Sequence, residues 1–175
     1  DCLITRVQME FPEARIVHRL DWDTSGLLVL ARNARAHSFL SKAFASRQVD
    51  KTYVALIDAP LEPAEGLIDL PIGKDPERRP RYRIDPERGR PSQTRYRIAA
   101  TEETAVRVIL EPITGRSHQL RVHLLAQDRP IQGDTLYHPE AERHDRLMLH
   151  ATRLAFPDPE HPTEPAVDYE LAAPF

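Results

Sequence analysis

Apolar and polar positions alternate along this chain in short blocks, and their spacing predicts many small elements rather than a few long ones. Ala36, Phe39, Leu40, Ala43 and Phe44 lie on one face of a helical wheel, which predicts an amphipathic helix over 34–47 with Asn33 as its cap. Residues 3–11 carry weaker helical spacing that ends at Pro12. The continuous apolar run Leu27-Leu28-Val29-Leu30 predicts a buried strand over 26–31. Residues 52–57 read as a strand stopped before Pro60, and 67–70 as a shorter one. Residues 94–99 and 105–110 alternate polar with apolar and predict an antiparallel pair turning near Thr101-Glu102-Glu103. Leu120, Val122, Leu124 and Leu125 predict a helix over 117–126, and 147–156 and 167–171 read as late strands. The expected fold is α+β, a mostly antiparallel mixed sheet flanked by helices and loops. No repeat or linker divides the chain, so one domain over 1–175 is expected.

Composition narrows the class. Hydrophobic residues make up 41% and charged residues 29%, which is too apolar for disorder. No apolar stretch is long enough to span a bilayer, and no secretory leader is visible. The one cysteine, Cys2, can form neither an internal disulfide nor a Cys-rich zinc site, so a reducing cytoplasm is expected. The chain opens at Asp1 and reads at once like the middle of a domain, so a preceding segment is expected.

Charge is uneven. The net charge is −3, yet 74–95 holds eight basic against four acidic residues, a net of +4 on a remainder of −7. This stretch overlaps 70–94, a segment long for a loop and rich in Arg and Pro, with Tyr82 among Arg79, Arg81 and Arg83. Arginine forks suit phosphates and an aromatic can stack on a base, but a solvated charged hairpin explains the composition equally well.

Two blocks carry candidate chemistry. In His18-Arg19-Leu20-Asp21-Trp22-Asp23-Thr24-Ser25-Gly26, one acid precedes a tight Thr-Ser-Gly bend and an apolar run, with two basic residues before it. A rigid scaffold can hold such a loop carboxylate in place. In Pro112-Ile113-Thr114-Gly115-Arg116-Ser117-His118-Gln119-Leu120-Arg121-Val122-His123, Arg116 stands at the expected start of a helix, where the dipole disfavours a cation. A carboxylate such as Asp21 would satisfy it and stay ionised; solvent exposure is the simpler alternative. Tyr53 on its strand reads first as a core aromatic. The histidines lack metal-site spacing, and no glycine-rich phosphate loop or Gly-x-Ser-x-Gly elbow is present, so neither metal nor nucleotide cofactor is expected.

These blocks resemble the motifs of the RluA-type pseudouridine synthases. The segment 18–28 is similar to their catalytic motif, Lys51-Thr52-Tyr53 with Ala55 to their tyrosine motif, 112–137 to their third block, and Leu147-Met148-Leu149-His150-Ala151 to their closing strand. Residues 65–71 and 89–94 resemble the branch that modifies a tRNA anticodon stem-loop uridine and a 23S rRNA loop uridine. The resemblance implies the pseudouridine synthase fold, isomerase activity on uridines of structured RNA, no cofactor, and RNA as the partner of an expected monomer. It implies Asp21 as the essential aspartate, Arg116 as its paired arginine, and Tyr53 as the base-stacking tyrosine and a candidate proton carrier. Arg19 would hold the opened site, and Leu149 would line the pocket. Arg79, Arg81 and Arg83 are the candidate RNA grip. The family's Lys-Pro motif would lie upstream of Asp1. The rivals are an inactive RNA-binding relative, a glycoside hydrolase using Asp21 and Asp23, and a structural domain without a site. The hydrolase fails because two carboxylates so close in a tight turn diverge rather than flank a sugar.

Overall fold

The alternating segments build the centre of the molecule. The computed structural model describes residues 2–175. The short helix α1 (Leu3–Glu10) precedes three two-residue strands, β1 (Arg15–Ile16), β2 (Ser25–Gly26) and β3 (Leu30–Ala31). Then come α2 (Ala34–Ala45), β4 (Asp50–Ile57), β5 (Glu65–Asp69), β6 (Ile72–Lys74), β7 (Tyr82–Ile84), β8 (Gln93–Thr101) and β9 (Val106–Pro112). The chain ends with α3 (Gln119–Leu125), β10 (Leu149–Phe156) and β11 (Val167–Glu170). The main sheet runs β11–β10–β4–β9–β8–β5 with antiparallel neighbours, and β2 adds in parallel to β10. The fold is therefore α+β with a mixed, mostly antiparallel sheet.

Pleating decides the core. Ala55 and Ile57 of β4, Val106, Val108 and Leu110 of β9, and Leu149 of β10 meet Leu120 and Leu124 of α3 in the main cluster. Leu40 and Ala43 of α2 bury against Ala31, Val49, Leu154 and Phe156. Asn33 caps α2 as expected, its side-chain oxygen accepting from the Ala36 N–H at 2.8 Å. The helix stops at Ala45, two residues early. There the Ser46 hydroxyl donates back to the Lys42 carbonyl, and Arg47 enters the left-handed region at φ 61°.

Two expectations are corrected. The apolar run after Gly26 is not one strand over 26–31: β2 joins the main sheet, whereas β3 pairs with β1. The break comes at Gly26, which takes φ +114° and packs so tightly on β10 that a Cβ would collide with the Ala151 carbonyl. Residues 27–29 belong to neither strand, and a continuous apolar run does not reveal that. The segment 70–94 is not one long loop but holds a hairpin, the alternative its composition allowed. Its β6 and β7 form a separate hairpin, with Ile72 opposite Ile84 and Lys74 opposite Tyr82. Ile72, Tyr82 and Ile84 pack on Val122 and Leu125 of α3 and on Tyr137. Two of its acids cap turns, Asp75 accepting from Glu77 and Arg78, and Asp85 from Glu87 and Arg88. The basic side chains are thus carried on a fixed arm.

Candidate active site

The parallel pairing of β2 with β10 brings the loop before it to the face of the sheet. The Thr24 N–H donates to the Asp21 carbonyl at 3.1 Å, closing a turn over 21–24. His18 holds the other end of the loop. Its ring stacks on Phe44 with centroids 4.4 Å apart, and its Nε2 accepts from the Val29 N–H at 3.0 Å. Burial first, and the Lys51 charge second, lower the His18 pKa to about 4, so the ring is neutral at pH 7 and free to accept.

The loop borders a cavity of about 530 Å³, within the range of small-molecule sites. Its walls come from the 18–24 loop, the end of α2, the start of β4, residues 112–120, and Leu149. Asp21 is the only acid among the lining residues, against Arg19, Arg47, Lys51 and Arg116. In a chain of net charge −3, this cavity is locally cationic. Tyr53 and Leu149 also line it, so Asp21, Arg19, Arg116, Tyr53 and Leu149 all meet in one place. Arg79, Arg81 and Arg83 do not line it. They sit on and beside the β6–β7 arm, where the Arg81 guanidinium lies 5.0 Å from the Tyr137 ring centre.

The expected partner of Asp21 is corrected. Arg116 shares the cavity, but its Nε donates to the Pro91 carbonyl at 3.3 Å. The ion pair of Asp21 is with Arg121, whose Nη1 stands 4.0 Å from Oδ2. Arg121 is itself clamped by Asp134 through two hydrogen bonds of 2.7 and 2.6 Å. The Asp134 carboxylate also accepts from the Leu136 and Tyr137 N–H groups. Burial opposes the Arg121 charge, but the bond to Asp134 and the charges of Asp134 and Asp21 outweigh it and raise its pKa. The guanidinium is therefore a permanent, immobile charge beside Asp21.

Local geometry explains the exchange of arginines. The helix begins at Gln119, not at 117, because His118 takes the left-handed conformation at φ 54°. Arg116 is left in the preceding turn. Gln119 pins that turn: its Oε1 accepts from Thr114 Oγ1 and the Arg116 N–H, and its Nε2 donates to the Gln93 carbonyl and Thr94 Oγ1. Arg121 then falls on the buried side of α3. A cation between Leu120 and Val122 in an apolar stretch was the one sequence signal for it.

Further groups emerge only in three dimensions. Lys51 lines the cavity on the same face of β4 as Tyr53, and burial lowers its pKa. The Thr24 hydroxyl, also at the cavity, is buried without a partner. Burial, and then the Asp21 charge, push the Tyr53 phenol up to about 12, so it is protonated at neutral pH. His118 Nδ1 lies within hydrogen-bond distance, 2.8 Å, of the Tyr137 hydroxyl, which also accepts from the Tyr82 N–H at 2.7 Å. His123 is a core histidine, bonded to Thr94 Oγ1 and the Leu70 carbonyl. Among the described residues no group of acids, histidines and cysteines is arranged to hold a metal.

Comparison with known proteins identifies the family. The family model described as RNA pseudouridylate synthase matches residues 8–126. The dual-specificity RNA pseudouridine synthase RluA of Yersinia pestis is 46% identical over 166 residues, spanning 93% of this chain and 81% of that protein. Its Escherichia coli K12 counterpart is 47% identical over 163 residues, spanning 91% and 74%. The solved structure of human RNA pseudouridylate synthase domain containing 1 superimposes with a TM-score of 0.86 at 32% identity, covering 98% of this chain and 74% of that one. By the family model, the identity to these relatives and the shared fold, the chain belongs to the RNA pseudouridylate synthase family.

Proposed function

We propose that this protein isomerises uridine to pseudouridine in structured RNA, with Asp21 as the reacting carboxylate. The observation that carries the reading is the lone acid of a cationic cavity, held against the fixed Arg121 guanidinium. The reaction breaks the C1′–N1 bond, turns the uracil and joins C1′ to C5. The C5 proton is lost and N1 gains one, so the net change is zero and no redox partner or energy source is required. Asp21 serves either by bonding to C1′ as the uracil leaves and departing when C1′ joins C5, or by taking a C2′ proton as the uracil leaves and returning it at that step. Tyr53, a protonated phenol, offers its ring to the base and its O–H as a donor. It can accept the C5 proton only after losing its own.

The target base must leave its stack to enter the cavity, which favours uridines in loops. The relatives are named dual-specificity enzymes. The proposed substrates here are a tRNA anticodon stem-loop and a 23S rRNA loop. Arg19 would hold the opened site, and Arg79, Arg81 and Arg83 on the arm would grip the RNA backbone. Asp21→Asn is expected to abolish pseudouridine formation in both RNAs while RNA binding persists. Pseudouridine mapping with and without the gene, together with a binding assay, tests this; wild-type turnover by the variant would refute the assignment. The reading also takes the protein as a cytoplasmic monomer, to be checked by fractionation and light scattering. Among the described residues no helix is long and apolar enough to cross a membrane.

A further inference from the structure

Trp22, the only tryptophan of the chain, is 91% exposed and stands one residue from Asp21. The turn explains its position. The Thr24-to-Asp21 hydrogen bond makes Asp21 the first turn residue and puts Trp22 and Asp23 at the corners. Asp21 faces the cavity, and the corner residue projects outward. Corners normally carry small or polar residues, and an indole this exposed contributes almost no burial to folding. Among the described residues no ring or guanidinium stacks on it. A single exposed apolar residue elsewhere would call for no explanation. This one adjoins the sole carboxylate of the cavity and follows the exposed Arg19, which also lines it, by three residues.

We propose that Trp22 is a stacking platform for the RNA base next to the target uridine. The inference rests on Asp21 being the reacting group of an RNA-modifying site. Consecutive Cα atoms lie about 3.8 Å apart, so an indole fixed beside Asp21 reaches the neighbouring nucleotide rather than a distant stem. When the target base leaves the stack, its neighbour loses a face, and the indole supplies one. Stacking reads no hydrogen-bond pattern, so one platform serves loops of different sequence.

The lone tryptophan reports on itself. A tRNA anticodon stem-loop is titrated into the wild-type protein while RNA anisotropy and tryptophan emission are recorded together. Emission is expected to quench along the same isotherm as the anisotropy. Trp22→Ala is expected to weaken binding about tenfold and to raise KM more than it lowers kcat, whereas Trp22→Phe retains most of the affinity. With 2-aminopurine on either side of the target uridine, its emission in one of the two positions should rise when Trp22 is replaced by Ala. Binding without quenching, or Trp22→Ala binding at wild-type strength, overturns the proposal and leaves the Asp21 reading intact. Failure to bind any folded RNA overturns both.

Discussion

Replacing Arg121 with Met is the most severe test of how the site is built. Its guanidinium and the Asp134 carboxylate are 3% and 0% exposed. Removing the cation leaves Asp134 buried with backbone donors only, at a cost of about 3–5 kcal/mol. In a domain of this size that lowers Tm on the order of 10 °C. The same substitution strips Asp21 of a charge at 4.0 Å, an attraction of roughly 4 kcal/mol at an effective dielectric of 20. Turnover should then fall on the order of a thousandfold. Arg116→Met should cost little stability, since its one hydrogen bond is on the exposed side, and should act mainly through RNA affinity. Adding Asp134→Asn to Arg121→Met removes the buried charge and should restore part of the stability without restoring turnover. Thermal melts and single-turnover assays on the four proteins decide the matter. The assignment of Arg121 to Asp21 fails if Arg116→Met loses more turnover, or if the double variant recovers activity along with stability.

Two further predictions follow from the loop and the arm. His18 has a folded pKa of about 4 against 6.5 unfolded, so the unfolded chain takes up the proton first as pH falls. Stability should therefore rise with pH between about 4 and 6.5 and level off above, with His18 contributing about 2 kcal/mol between pH 5 and 6.5. His118, His123 and His150, whose pKa values burial also lowers, act in the same direction. Urea denaturation of His18→Gln should show a shallower pH dependence than wild type, and equal slopes would remove His18 from the account. Substituting Gln for Arg79, Arg81 and Arg83 together should weaken RNA binding and reduce the slope of log K against log salt by about 0.7–0.9 for each lost phosphate contact. An unchanged slope would take the arm out of the interface.

What the chain states locally is what short-range physics decides. The period of Ala36, Phe39, Leu40, Ala43 and Phe44 and the Asn33 cap determined α2, because a helix closes its hydrogen bonds within itself. Alternation determined β8 and β9, which lie a short turn apart. The 18–26 block marked Asp21, since its acid, bend and apolar run are contiguous. Tertiary structure alone decided the rest. The main sheet takes the chain only as far as Gly26, which lies against Ala151, and the apolar run beyond it leaves that sheet and pairs with β1 only from Leu30. The basic stretch became a fixed arm because Ile72, Tyr82 and Ile84 found α3 and Tyr137. The choice between Arg116 and Arg121 turned on the left-handed His118 and on Asp134, thirteen residues beyond Arg121. A buried ion pair depends on which charges share a desolvated space, and that follows from how the elements pack, not from spacing along the chain.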